Sequence, residues 1–147
     1  MNKTYQKRPF YIDKITPFIG TDLIKVLVGQ RRVGKSYILL QLMDVIRARD
    51  AKANIISINK EENEYESIAN YRDLIVYAEK RALVGVNNYL FIDEIQDIEN
   101  FEKSLRHFFA KKTFDVYCTG SNARLLSSEI ATGLSGRYIE ISVHALS

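Results

Sequence analysis

Cysteine is almost absent from this chain, with Cys118 the single copy among 147 residues. An intramolecular disulfide is thereby excluded, which suits a reducing compartment. Cys118 lies in the apolar run Phe114-Asp115-Val116-Tyr117-Cys118-Thr119 and reads as a buried small hydrophobe, not a nucleophile. Long hydrophobic runs are also missing. No stretch is long enough to span a bilayer, and the polar start Met1-Asn2-Lys3-Thr4-Tyr5-Gln6-Lys7-Arg8 precedes no signal-peptide core. The expected location is therefore cytoplasmic. Charge of one sign is in short supply too: the net charge is +3, with Lys and Arg scattered along the chain. A solvated basic surface is the default, and nucleic acid is a permitted partner to which no cluster points. Histidine occurs twice, and neither His107 nor His144 has a metal-ligating neighbour at useful spacing. The nine tyrosines are spread through the elements and do not form a stacking platform for single strands.

What is present describes one globular domain. Hydrophobic residues make up 46% and charged residues 27%, over a length that can bury a real core. Pro9 and Pro17 bracket an amphipathic stretch with Phe10, Tyr11, Ile12 and Ile15, so residues 1–20 read as a leading helical segment ahead of a core over 21–147. Beyond Gly20, strand and helix patterns alternate. Leu23 to Val28 is an apolar strand broken only by Lys25, and Ile38, Leu39, Leu42, Met43 and Ile46 recur at helical spacing. Asn54 to Ile58 is a second strand; Ile68, Tyr71, Ile75 and Ala78 define a helix face; Tyr89 to Ile92 is a third strand. Phe101, Leu105, Phe108 and Phe109 line another helix, followed by strands at Val116 to Thr119 and Tyr138 to Val143. Near-continuous apolar strands alternating with helices predict a parallel sheet covered on both faces, a doubly wound three-layer α/β/α fold. In such sheets ligands bind outside the carboxyl ends of the strands.

The strongest motif falls at such an end. Gly29-Gln30-Arg31-Arg32-Val33-Gly34-Lys35-Ser36 satisfies G-x-x-x-x-G-K-[ST], after a strand and at the opening of a helix. Glycines let backbone N–H groups turn inward on a phosphate, and the helix N-terminus adds its dipole. Lys35 can reach the β- and γ-phosphates, and the Ser36 hydroxyl can hold Mg²⁺. The nucleotide-binding set is thus Gly29, Gln30, Arg31, Arg32, Val33, Gly34, Lys35 and Ser36, with Tyr37 beside them. Arg31 and Arg32 either approach the nucleotide or a partner, or are solvated loop charges.

A second motif supplies acids. Tyr89-Leu90-Phe91-Ile92-Asp93-Glu94 is an apolar strand ending in two carboxylates. With an upstream phosphate loop, Asp93 is expected to hold the Mg²⁺ hydration shell opposite Ser36, and Glu94 to polarise the attacking water as general base. The second acid favours hydrolysis over transfer to a small molecule. Gln96 and Asp97 either contact a partner or cap the next helix. Asn59-Lys60-Glu61-Glu62 only faintly matches the Asn-Lys-x-Asp guanine reader, has Glu where Asp is needed, and precedes the acidic strand; GTP specificity is not indicated.

The fourth strand exits into Thr119-Gly120-Ser121-Asn122. Asn122, or failing it Ser121, could orient the lytic water and report on the γ-phosphate; an ordinary turn and helix N-cap is the alternative. Gly136-Arg137 precedes the fifth strand, where Arg137 could act in trans on a neighbouring subunit or make a structural salt bridge.

Taken together, Val28 to Ser36, Phe91-Ile92-Asp93-Glu94-Ile95-Gln96, Thr119-Gly120-Ser121-Asn122-Ala123 and Leu134-Ser135-Gly136-Arg137-Tyr138 resemble the AAA+ ATPases. More closely they resemble the bacterial and archaeal AAA-type ATPases whose longer members carry a nuclease-like C-terminal domain. The resemblance implies strand order 5-1-4-3-2, ATP with Mg²⁺, Asn122 as first sensor, Arg137 as finger candidate in a homo-oligomer, and Asn59 as a restraint on Glu94. It also implies a helical lid after the fifth strand. The chain ends at Ser147, so it is expected to be a fragment lacking the lid and C-terminal domain. The expected function is Mg-ATP binding and hydrolysis coupled to a partner or C-terminal domain. The alternative is a slow or non-hydrolysing ATP-dependent switch, with a DNA association suggested by family analogy alone.

Overall fold

The computed structural model describes residues 9–30, 34–121, 128, 130 and 133–144. Among them run α1 (Pro9–Ile15), β1 (Ile24–Val28), α2 (Lys35–Arg49), β2 (Asn54–Asn59), α3 (Tyr71–Arg81), β3 (Asn88–Asp93), α4 (Phe101–Lys111), β4 (Phe114–Gly120) and β5 (Tyr138–Ser142). All five strands pair in parallel in the order β2-β3-β4-β1-β5, the 5-1-4-3-2 order implied by the sequence motifs. The fold is the three-layer P-loop arrangement.

Alternation along the strands explains the two covered faces. Leu90 and Ile92 of β3, with Val26 and Val28 of β1 and Val116 and Cys118 of β4, pack against α3 and α4 through Leu74, Ala78, Leu105 and Phe108. The intervening Tyr89, Phe91, Leu27 and Tyr117 face α1 and α2, meeting Tyr11, Ile15, Ile38, Leu42 and Ile46. Because both faces are buried, the strands read as continuous apolar runs instead of alternating ones. Phe91 stacks on Tyr117 with ring centroids 4.5 Å apart and planes 5° apart. Such a pair contributes about 0.5–1.5 kcal/mol beyond its buried area. Burial pushes the Cys118 thiol up to about 12, as expected of an inert core cysteine.

Local signals set the helix ends. Asn70 and Asp73 form a reciprocal capping box that starts α3, with Lys80 and Arg81 at its other end. That cap corrects one expectation: Ile68 is buried, but it lies before the helix, its N–H donating to the Tyr65 carbonyl at 3.0 Å. Similarly β1 begins at Ile24, one residue later than the apolar pattern suggested, where Ile24 N–H donates to the Arg137 carbonyl at 3.1 Å and pairing with β5 starts. The leading helix α1 buries Tyr11 and Ile15 against α2, and the Tyr11 hydroxyl accepts from His144 N–H at 3.0 Å. His107 pairs with Glu79 at 2.8 Å, joining α4 to α3. No helix among the described residues is long and apolar enough to cross a membrane.

Lys25, the polar residue inside β1, is buried and ion-paired with Asp115 of β4. It also donates to the Thr21 carbonyl at 3.1 Å, while Asp115 accepts from Gly20 N–H at 2.8 Å and the Tyr117 hydroxyl at 2.7 Å. This network fastens the segment between α1 and β1 to the lower end of the sheet. Burial draws the Lys25 ammonium below the ordinary lysine range, against the opposing pull of Asp115.

Candidate functional site

Parallel register gathers the motifs at one end of the sheet. Val28 pairs with Gly120, Ile92 with Cys118, and Asn59 with Asp93, so the ends of β1, β3 and β4 lie side by side. Gly29 N–H donates to the Gly120 carbonyl at 3.1 Å, which seats the start of the phosphate loop on the end of β4. Gly34 then adopts φ +93° immediately ahead of α2, a left-handed conformation that side chains disfavour. Ile38 N–H returns to the Gly34 carbonyl at 3.1 Å, so the helix begins at Lys35 with its first N–H groups open to an anion.

Lys35 is 3% exposed. Its ammonium donates to the Gly29 carbonyl at 2.5 Å, the Gly120 carbonyl at 3.0 Å and the Ser121 hydroxyl at 3.3 Å, and lies 3.4 Å from Glu94 Oε2. Ser36 donates its hydroxyl to Asp93 Oδ2, joining the helix start to the end of β3. The other Asp93 oxygen accepts from the Thr119 hydroxyl. Thr119 oxygen in turn accepts from Glu94 N–H at 2.8 Å. A single fully buried hydroxyl thus orients both acids of the pair.

Glu94 leaves β3 in a left-handed conformation, φ +61° and ψ +53°, which is uncommon for a residue with a Cβ. Its carboxylate Oε1 accepts from Ser121 Oγ at 2.5 Å and from Gln96 Nε2 at 2.6 Å. Neither Gln96 nor Asp97 caps the following helix: both lie in the short 3-10 turn Ile95–Asp97, and Asn100 precedes α4 without a side-chain cap. The Asn59 side chain accepts from Glu61 N–H at 3.0 Å, an Asx turn that accounts for the Asn-Lys-Glu-Glu run.

The structure therefore brings Gly29, Gly34, Lys35, Ser36, Asp93, Glu94 and Ser121 together. Gln30 and Tyr37 flank them and are exposed. Arg31, Arg32, Val33 and Asn122 lie outside the described residues. Arg137 sits elsewhere: its carbonyl accepts from Ile24 N–H at 3.1 Å at the opposite end of β1, and its guanidinium rests 5.4 Å from the Phe109 ring centre. Spanning β1 separates it from the phosphate loop by about 15 Å, so the structure does not bring it to the site formed by this chain. Thr119 and Gln96 are the site residues that motif reading under-valued. Their one sequence signal is polarity where an apolar strand or turn is expected.

The donor set fits Mg-nucleotide. Mg²⁺ is characteristically held by one or two carboxylates together with phosphate oxygens and water, and not by an all-protein cage. Among the described residues no group of three or more His, Cys, Asp or Glu could hold a metal ion, whereas Ser36 and Asp93 already touch beside the helix N-terminus. A polar hollow at the opposite end of the sheet, lined by Asp22, Asn88, Lys112 and Asp115 among others, lies away from the carboxyl ends where such folds bind ligands.

The AAA domain family matches residues 21–147. An uncharacterised protein of Haemophilus influenzae is 39% identical over 149 residues, covering 100% of this chain and 37% of its own length. An uncharacterised protein of Methanocaldococcus jannaschii is 36% identical over 122 residues, covering 82% of this chain and 26% of its own length. The chain thus spans well under half of these relatives. In fold it is similar to the Aeropyrum pernix Orc1 protein solved with DNA, at TM-score 0.73 and 10% identity, over 99% of this chain and 47% of that one. It is likewise similar to the S. cerevisiae Hsp104–ADP complex, at TM-score 0.70 and 16% identity, over 99% of this chain and 23% of that one. With its phosphate loop, acidic strand end and 5-1-4-3-2 sheet in register, the chain belongs to the AAA domain family.

Proposed function

We propose that this chain binds Mg-ATP at the end of β1 and α2 and hydrolyses it, as the motor core of a longer protein. The observation that carries the reading is the direct contact of Ser36 with Asp93 beside the buried Lys35. A helix N-terminus, a phosphate-reaching ammonium, a hydroxyl and a carboxylate are the parts phosphoryl chemistry needs, since its catalysis is mostly positioning and charge stabilisation. When bound, Mg²⁺ would be held through Ser36 and Asp93 and would neutralise charge on the phosphate oxygens. Lys35 would exchange its present acceptors for phosphate oxygens. Glu94, relieved of Lys35, would accept a proton from water at Oε2.

The ion pair between Lys35 and Glu94 also favours a second reading, an ATP-dependent switch that turns over slowly. A base tied to an ammonium is a poor proton acceptor until that ammonium moves. Turnover by wild type and Glu94→Gln separates the two. Hydrolysis should be lost in Glu94→Gln with nucleotide binding retained; equal hydrolysis by both proteins would remove Glu94 from its role.

A further inference from the structure

Resting on the hydrolysis reading, we infer that Gln96 is a positioning residue for Glu94. Glu94 departs from β3 in the left-handed region and its backbone is fixed by Thr119, so the side chain starts from one defined direction. The tight turn that follows, with Asp97 N–H donating to the Glu94 carbonyl at 3.1 Å, folds Gln96 back toward the carboxylate it follows by two residues. Its Nε2 donates to Glu94 Oε1 at 2.6 Å, and Ser121, the residue after β4, reaches the same oxygen at 2.5 Å. Two donors on one oxygen pin the carboxylate from both sides. Oε2 is the oxygen left to change partners, from the Lys35 ammonium at 3.4 Å to a water once Lys35 engages phosphate. A general base acts only within hydrogen-bond reach of its proton, and small misplacements cost large factors in rate.

A second observation indicates that this amide is kept for Glu94 and not for stability. Gln96 Oε1 is buried with no hydrogen-bond partner among the described residues. Rotating the amide by half a turn would set its oxygen against the Glu94 carboxylate, so the donor's duty fixes the orientation and strands the acceptor. A buried orphan carbonyl destabilises, and an apolar side chain of equal length would avoid it. Such local inconsistencies concentrate at functional sites.

Gln96→Met keeps the length and removes both polar atoms. Its melting temperature should equal or exceed that of wild type, and its Mg-ATP affinity should stay within about twofold, while kcat falls about tenfold. Gln96→Glu sets a like charge beside Glu94 and should lose more kcat than Gln96→Met. Wild type and Glu94→Gln are measured alongside. If wild type binds Mg-ATP without turnover, the hydrolysis reading fails and this inference falls with it. If wild type turns over, Glu94→Gln does not, and Gln96→Met matches wild type, only the inference is overturned. A Gln96→Met protein that loses melting temperature, affinity and turnover together would also overturn it, since that pattern marks packing.

Discussion

Lys35 and Glu94 face each other across 3.4 Å, both nearly excluded from solvent, at 3% and 5% side-chain exposure. Under the proposed function, nucleotide binding separates this pair so that Lys35 can serve a phosphate. Part of the gain on binding is therefore spent on leaving Glu94. Glu94→Gln removes the charge with little change of shape, so it should tighten Mg-ATP binding about fivefold, on the order of 1 kcal/mol. Calorimetric titration of both proteins checks this; equal affinities would mean that the pair does not restrain Lys35.

The Lys25–Asp115 pair makes a separate prediction about stability. Asp115→Ala leaves a buried ammonium without its counter-charge and should cost about 3–5 kcal/mol. Lys25→Met leaves Asp115 still accepting from Gly20 and Tyr117, and should cost about 1–2 kcal/mol. The folded Lys25 releases its proton below the ordinary value of 10.5, so between the two values the unfolded chain holds more protons. Stability from this group therefore rises as pH climbs toward 10.5. From pH 8 to pH 10, urea unfolding should show wild type gaining stability relative to Lys25→Met, the buried tyrosines with raised pKa, Tyr117 among them, being common to both proteins.

Arg137 is exposed and rests on Phe109, at the end of β1 away from the phosphate loop. Arg137→Ala should change stability by less than about 1 kcal/mol. If the arginine acts on a neighbouring copy, mixing Arg137→Ala with Lys35→Ala should restore turnover that neither protein shows alone. No recovery on mixing would confine Arg137 to its contact with Phe109.

The strands themselves were legible because their signals are local, and their order followed from the family resemblance. A strand buried on both faces must be apolar throughout, as in Tyr89 to Ile92, and a phosphate loop must pair its glycines with Lys35 and Ser36 in fixed succession. What was not legible depends on residues far apart in the chain. Lys25 looked like an interruption of β1 because its partner lies 90 positions away, on β4. Thr119 looked like the end of a strand, although parallel register sets it between Asp93 and the Glu94 backbone. Gln96 offered capping as a natural reading, since Ile95–Asp97 precedes a helix. Only the left-handed turn at Glu94 directs its amide backward instead. Ile68 fitted the helical period of α3, yet the Asn70 cap starts that helix after it.

Thermal unfolding with and without millimolar Mg-ATP, on wild type and Lys35→Ala, addresses the central claim most directly. At nucleotide concentrations near a hundred times Kd, wild type should gain about 2.7 kcal/mol, a rise of roughly 5–10 °C. Lys35→Ala should melt at one temperature regardless of Mg-ATP. A wild-type melting temperature that Mg-ATP leaves unchanged would contradict the assignment of this site to nucleotide.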